Sequence, residues 1–317
     1  MKVVVTDTTF PTLDQEERAA RKGGAEFARF QARTAEEVAE AVAGAKVALV
    51  QFAPFTEAAA KAMAPGGTVI RYGVGYDNID VAATKAAGLR VGYVPDYCAD
   101  EVAEHTAAMA LAMLRKLPQL DASVRDNDWA AVKVSRPLKP FAETVFGFFG
   151  LGQIGRAVLG RLKDFGFRFA ASDPGLSPQD AEALGVTLMT PEELLREADV
   201  ISLHAPATAE TRGYFDAQRL ETMKPHAILI NSARGQLIDE NDLAAALRAG
   251  IIGGAALDVF GTEPLPPESP LRSAPNCLLT PHAAWYSDAA IGRLQGLVAE
   301  DVARALRGEG PRKPVPG

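Results

Sequence analysis

An α/β fold with parallel sheets is what this sequence predicts, on three observations. Short apolar runs alternate with Ala-rich amphipathic segments from one end to the other, the pattern of strands joined by helical crossovers. The alternation is interrupted by one long helical segment and restarts near residue 144, so the chain holds two units of one architecture. A length of 317 residues also suits two domains, each large enough to bury its own core.

In order, KVVVT (2–6), KVALVQ (46–51), TVIRY (68–72) and RVGY (90–93) read as strands, and 14–23, 34–44 and 56–64 as helices. Thr34 and Thr56 stand at N-cap positions, and Glu37 three residues after Thr34 completes a capping box. After Val94-Pro95 comes a helix over 99–117, so the second unit begins near residue 100. It continues with strand 144–149, helix 153–164, strand 167–172, helix 178–184, strands 199–203 and 227–231, helix 239–249 and strand 253–257. A motif-rich loop at 280–286 precedes a last helix over 287–307, and the closing RGEGPRKPVPG reads as a tail.

With 33 Lys and Arg against 40 Asp and Glu, the net charge of −7 gives no footprint for nucleic acid. Two cysteines, Cys98 and Cys277, are too few for a disulfide framework and read as reduced thiols. No apolar run reaches the length of a membrane span or a signal core, and a soluble, cytoplasmic protein is expected.

The sequence Gly150-Leu151-Gly152-Gln153-Ile154-Gly155 matches GxGxxG directly after a buried-type strand and opens a helix. Gly150 permits the tight turn, Gly152 lets backbone N–H groups approach a pyrophosphate, and Gly155 allows close helix–strand packing. The helix N-terminus adds unpaired donors and a favourable dipole. Asp173, 18 positions after Gly155 at the end of the next strand, suits the ribose hydroxyls and would repel a 2′-phosphate. Pro174-Gly175-Leu176-Ser177 supplies no cation to replace it, so NAD is expected rather than NADP.

Three residues follow strand-like runs of the second unit: Arg234 after AILINSA, Glu263 after AALDVFGT and His282 after CLLTP. Open parallel sheets place ligands at the carboxyl ends of their strands, where these loops would converge. His282 could give a proton to an alkoxide as hydride reaches carbon, with Glu263 favouring its imidazolium. Arg234 could bind a carboxylate and polarise the neighbouring carbonyl. Singly, each residue type is common on surfaces; their shared place after successive strands points to carbonyl reduction or its reverse. His105, His204 and His226 are scattered, and with no HExxH and no Cys pair a metal is not expected.

The blocks RYGVGYDNID (71–80), GLGQIG, LINSARGQLIDE (229–240), GGAALDVFGTEP (253–264) and TPHAAWYS (280–287) resemble the NAD-dependent D-isomer-specific 2-hydroxyacid dehydrogenases over essentially the whole chain. VPDYCADEVAEHTAAMAL (94–111) and HAAWYS resemble the C-terminal-binding-protein-like branch of that family. The resemblance implies two flavodoxin/Rossmann-like domains. An NAD domain over 99–288 would be inserted into a substrate domain formed by 1–98 and 289–317. It implies Arg234, Glu263 and His282 as the catalytic residues. It also implies a substrate carboxylate on the backbone of Val74 and Gly75, assisted by Arg71, with Tyr76 and Trp285 lining the pocket. For NAD it points, beside the glycines, to Gln153, Ile154, Asp173, Pro206, Thr211, Ala233, Arg234, Asp258 and His282, with Thr106 in addition. Asp258 would hold the nicotinamide carboxamide. A homodimer through the NAD domain, including helix 99–117, is implied as well.

Val74 replaces the Ser or Thr of some relatives, and Gln153 replaces an Arg beside the pyrophosphate; neither bears on the fold or the reaction class. The competing reading is a nucleotide-sensing scaffold resembling the co-repressors of that branch. Those carry long extensions, whereas this sequence ends about ten residues past its last predicted helix. Length also sets it apart from a 3-phosphoglycerate dehydrogenase with a regulatory extension, though not from short forms. Formate enzymes of the fold resemble a Gln–His pair where Glu263 stands here; a phosphite dehydrogenase is harder to set aside. Phe52, Phe55, Tyr76 and Trp285 would give an aromatic mouth, favouring a 2-ketoacid side chain larger than that of glyoxylate.

Overall fold

Buried on both faces, a central parallel strand is nearly all apolar, and runs of that kind form the middle of the two sheets of the protein. A computed structural model describes residues 1–316. The chain divides into two compact units: Met1–Cys98 with the chain from Tyr286 onward, and Ala99–Trp285.

The first unit holds strands β1 (Lys2–Val5), β2 (Glu26–Arg29), β3 (Val47–Val50), β4 (Thr68–Arg71) and β5 (Arg90–Gly92), all parallel, in the order β2-β1-β3-β4-β5. Helices α1 (Asp14–Lys22), α2 (Ala35–Ala41), α3 (Glu57–Ala62) and α4 (Val81–Ala86) alternate with them. Val4, Ala48, Val50 and Val69 pack on Val38 and Ala41 of α2 and Ala59 and Ala60 of α3, each buried aliphatic chain contributing about 1.5–3 kcal/mol. Thr34 forms its capping box with Glu37, whereas Thr56 sits at the N-cap position without a side-chain cap bond.

The second unit opens with α5 (Ala99–Leu114), α6 (Leu117–Arg125) and α7 (Ala131–Ser135). The single helix expected over 99–117 therefore ends at Leu114, because Lys116 turns left-handed at φ 51° before α6 begins. There follow β6 (Val145–Phe149), α8 (Gln153–Leu162), β7 (Arg168–Ser172), α9 (Pro178–Leu184), β8 (Val186–Leu188), α10 (Pro191–Glu197) and β9 (Val200–Leu203). Next come α11 (Ala217–Thr222), β10 (Ile228–Asn231), α12 (Glu240–Ala249), β11 (Gly254–Leu257) and β12 (Cys277–Leu279). The seven strands are parallel in the order β12-β11-β10-β9-β6-β7-β8. Strand alternation sorts the core into two faces. Ile201, Leu203, Leu229 and Leu257 meet α10, α11 and α12, while Phe146, Phe148, Val200 and Ile230 meet α5, α8 and α9.

Helix α13 (Asp288–Leu306) belongs to the first unit and packs along α1. The segment after it corrects the expectation of a loose tail. Pro314 bridges Gly92 in antiparallel sense, Val315 N–H donates to Val91 O, and Val315 is buried. Arg312 forms two 2.9 Å bonds to Asp96. Backbone pairing on the open edge of β5, invisible in composition, makes this a strap rather than a tail. Among the described residues no helix is long and apolar enough to cross a membrane.

Candidate active site

In a parallel sheet every strand ends at the same edge, and in the second unit Asp173, Arg234, Glu263 and His282 all follow those ends. Gly150 leaves β6 at φ 89°, and a Cβ there would stand 2.9 Å from the backbone of His204 and Ala205. Gly155 has Gly150 O at 3.1 Å from its would-be Cβ, so helix and strand end approach closely. Beside Gly152, the N-cap of α8, a Cβ would meet nothing within 4 Å. The turn thus presents open space against the first N–H groups of α8, at Gln153 and Ile154, which have no partner one turn back in the helix. Asp173, after β7, accepts Leu151 N–H at 2.6 Å and Gly175 N–H at 2.7 Å, which fixes its carboxylate beside the turn. After β9, Thr211 Oγ1 donates to Pro206 O at 2.6 Å, closing that loop on itself. This constellation fits a dinucleotide: an open cradle at a helix N-terminus, with a carboxylate at the next strand end.

The groups expected to react lie on the loops after β10, β11 and β12. Asn231, the last residue of β10, accepts Ala233 N–H at 3.0 Å and donates to Arg234 O at 2.8 Å, so its side chain shapes the turn that carries Arg234. Glu263 turns back to accept Phe260 N–H at 2.9 Å through Oε1. Its Oε2 stands 2.6 Å from His282 Nδ1. Burial pushes the Glu263 carboxyl up, but the His282 hydrogen bond and charge, the Phe260 N–H and the charge of Arg234 together hold it below the usual range. Glu263 is therefore an ionised acceptor, and His282 Nδ1 carries the shared proton. The three residues expected to act together are brought together.

Their convergence depends on Gly235, which the sequence reading passed over. A Cβ at Gly235 would fall 1.9 Å from the carbonyl carbon of Phe260 and 2.4 Å from Gly261 N. Only glycine lets the Arg234 turn rest against the backbone that leads to Glu263. Its signal in the sequence was the Ala-Arg-Gly triplet after a strand.

Asp258 and Thr106 stand behind these loops instead of on their surface. Asp258 is fully buried; its carboxylate accepts Ala283 N–H at 2.8 Å, Ala284 N–H at 2.9 Å and the Thr280 hydroxyl at 2.5 Å. Thr106 is also fully buried, its hydroxyl donating to Val102 O at 2.7 Å and lying 2.6 Å from Ser232 Oγ. Both side chains are bonded within the protein, Asp258 to the loop after β12 and Thr106 to the loop after β10.

The residues expected to hold a substrate carboxylate are in the first unit, at the carboxyl end of β4. Arg71 closes that strand, bonds Tyr72 O, and places its guanidinium over the Phe52 ring at 5.9 Å. Gly73, at φ 134°, turns the chain into Val74 and Gly75, which are half-buried, and Tyr76 packs edge-on to Tyr93. Asp7, after β1, accepts the N–H groups of Gln51, Phe52 and Ala53 and so fixes the neighbouring loop. Trp285 is the last residue of the second unit and is half-buried.

A doubly wound sheet with a dinucleotide turn and an Arg–Glu–His set on its carboxyl edge defines a Rossmann-type α/β domain with polar groups gathered at its strand ends. Residues 107–284 match the D-isomer specific 2-hydroxyacid dehydrogenase NAD binding domain. The chain is 41% identical over 270 residues to D-3-phosphoglycerate dehydrogenase of Mycobacterium tuberculosis, covering 85% of this chain and 51% of that one. It is 38% identical over 248 residues to glyoxylate reductase of Korarchaeum cryptofilum, covering 77% of this chain and 74% of the relative. The solved structure of TT0316 protein from Thermus thermophilus superposes with a TM-score of 0.86 at 33% identity, over 100% of both chains. The chain belongs to the D-isomer specific 2-hydroxyacid dehydrogenase family and carries its NAD binding domain. It spans about half the length of the phosphoglycerate dehydrogenases it matches.

Proposed function

We propose that this protein is an NAD-dependent oxidoreductase interconverting a small 2-ketoacid and its D-2-hydroxyacid. The observation that carries the reading is the 2.6 Å His282–Glu263 pair beside Arg234, on the same sheet edge as an open dinucleotide turn. NAD(H), when bound, supplies or accepts the hydride. The Gly150–Gly155 turn holds its pyrophosphate against the N-terminus of α8, and Asp173 takes its ribose hydroxyls. With Nδ1 bonded to Glu263, His282 passes the reaction's proton through Nε2 to the oxygen that becomes the hydroxyl. Arg234 binds the substrate carboxylate and polarises the adjacent carbonyl, a fork of fixed charge suited to both. Within the first unit, Arg71 and the N–H groups of Val74 and Gly75 are suited to a carboxylate, with Tyr76 next in the chain.

The substrate we infer has a modest apolar or hydroxylated side chain, since Phe52 offers aromatic surface beside Arg71. The identity of the relatives as glyoxylate reductase and phosphoglycerate dehydrogenases puts glyoxylate and 3-phosphohydroxypyruvate in the test panel. NADH oxidation with these two, hydroxypyruvate, pyruvate, 2-ketobutyrate and phenylpyruvate should favour an unphosphorylated 2-ketoacid larger than glyoxylate in kcat/KM. Highest kcat/KM on glyoxylate would overturn the side-chain reading. NADH binding without turnover on any of them would favour a nucleotide-sensing scaffold of the C-terminal-binding-protein-like branch.

A homodimer is part of the proposal. The α5 stripe of Val102, Ala103, Met109, Ala110 and Met113 is core, but the α6–α7 region beyond it exposes Leu117, Val124, Trp129 and Val132. Trp129 is 90% exposed, an unusual state for a large aromatic side chain, and a second copy would cover this surface.

A further inference from the structure

His105 and Thr106 are neighbours on α5, and each reaches a different loop of the site. His105 Nε2 lies 3.1 Å from Thr280 Oγ1 and 3.6 Å from Asp258 Oδ1, while Thr106 Oγ1 lies 2.6 Å from Ser232 Oγ. Counting protons fixes the direction of these bonds. Asp258 accepts two backbone N–H groups besides the Thr280 hydroxyl, which is how an ionised carboxylate behaves. The one hydroxyl hydrogen of Thr280 therefore goes to Asp258, and the Thr280 oxygen accepts the Nε2–H of His105. By the same count Thr106 gives its hydrogen to Val102 O and accepts one from Ser232.

What this network holds is a loop that needs holding. His282 sits at φ 51°, a left-handed conformation that a non-glycine residue adopts only when its surroundings hold it there. Its N–H donates to Asp258 O at 2.8 Å, and the next two N–H groups end on the Asp258 carboxylate. Ser232 in turn precedes the Ala233–Arg234 turn, whose inner face is bonded by Asn231. Two consecutive residues of one rigid helix thus grip the loops of both the proton carrier and the carboxylate clamp.

We propose that His105 is a positioning residue for His282, acting through Thr280 and Asp258, and that Thr106 does the same for Arg234 through Ser232. The proposal rests on the reading of Arg234, Glu263 and His282 as the reacting set. Helix α5 sets the spacing between the two loops, and the histidine is there as an Nε2–H donor, not as an acid or base.

The test uses His105→Leu, which removes the donor at similar size, and His105→Gln, which restores an N–H at similar reach. His105→Leu should lower kcat by about 10-fold or more, the scale of losing an outer-shell partner, with NADH affinity by fluorescence titration unchanged. His105→Gln should recover much of that loss, and Thr280→Val added to His105→Leu should lose little more, because both break one chain of bonds. Parental kcat in His105→Leu, or losses that multiply in the double variant, would overturn the proposal. A second readout does not depend on turnover. Imidazole nitrogen NMR, with the four histidines assigned by substitution, should show His105 protonated at Nε2 and the His282 ring signals displaced in His105→Leu. Undisplaced His282 signals would overturn the positioning role. Displaced signals in a protein that turns over no 2-ketoacid would leave that role standing and remove the proposed reaction instead.

Discussion

At the scale of single residues, the site is assembled from backbone conformations that side chains alone do not announce. His282 occupies a left-handed conformation, and Gly235 lies where any Cβ would enter the backbone of Phe260. Gly235→Ala should push the Arg234 turn away from Glu263 by an ångström or so, and kcat/KM should fall roughly 100-fold on that displacement. NADH binding, remote from that contact, should survive. Parental kcat/KM in this variant would mean that the loops adjust freely and that their fit carries no function. The grouping of Arg234, Glu263 and His282 was legible because the three stood after successive strands. Gly235, His105 and Ser232 were not. The bonds that give the last two their meaning join residues 175 and 126 positions apart, a separation no local pattern encodes.

Among the elements, legibility followed burial. Central strands such as β3, β9 and β10 are buried at each position because helices cover both faces, and apart from Ser202 and Asn231 their residues are apolar. The strands left unread, β2 and β8, are sheet edges; β2 begins and ends with exposed charges and β8 has two exposed residues of three. Helices α4, α10 and α11 escaped because seven residues or fewer give little periodicity, although Thr190 and Glu193 cap α10 in a box.

The opposite end of the second sheet carries its own anchor. Asp199, buried before β9, meets His226 at 2.7 Å, Lys139 at 2.9 Å and Lys224 at 3.2 Å, and accepts Val145 N–H at 2.8 Å. Burial raises its pKa, but the Val145 N–H, the His226 hydrogen bond and the two lysines outweigh it and hold the carboxyl well below the usual range. A depressed carboxyl stabilises the fold above its unfolded pKa, near 3.9, and that contribution is lost as pH falls toward the folded value. Asp199→Asn should cost about 2 kcal/mol in urea unfolding at neutral pH, less than a fully buried pair because the partners are part exposed. The gap between parent and variant should close as pH falls below about 4. A gap of equal size at both pH values would show that the charge of Asp199 is not what anchors these strands.

For the whole molecule, the first unit has a flavodoxin-ordered sheet with the loop after β4, and the second a Rossmann-ordered sheet with the dinucleotide turn and the Arg–Glu–His set. The strand alternation and its restart announced both sheets, while the strap on β5 became visible only through its backbone bonds. The apolar surface around Trp129 predicts a dimer by sedimentation equilibrium, dissociating in Trp129→Glu; a parent monomeric at micromolar concentration would contradict it. The central claim is that His282 moves the proton of a ketoacid reduction. Its most direct test is steady-state NADH oxidation by the parent and by His282→Ala on the best ketoacid of the panel, with NADH affinity measured alongside. The account predicts a kcat lower by about 10²- to 10⁴-fold with NADH still bound at the parental affinity, as expected when a general acid is lost and the cofactor site is not. Unchanged kcat in His282→Ala would contradict it.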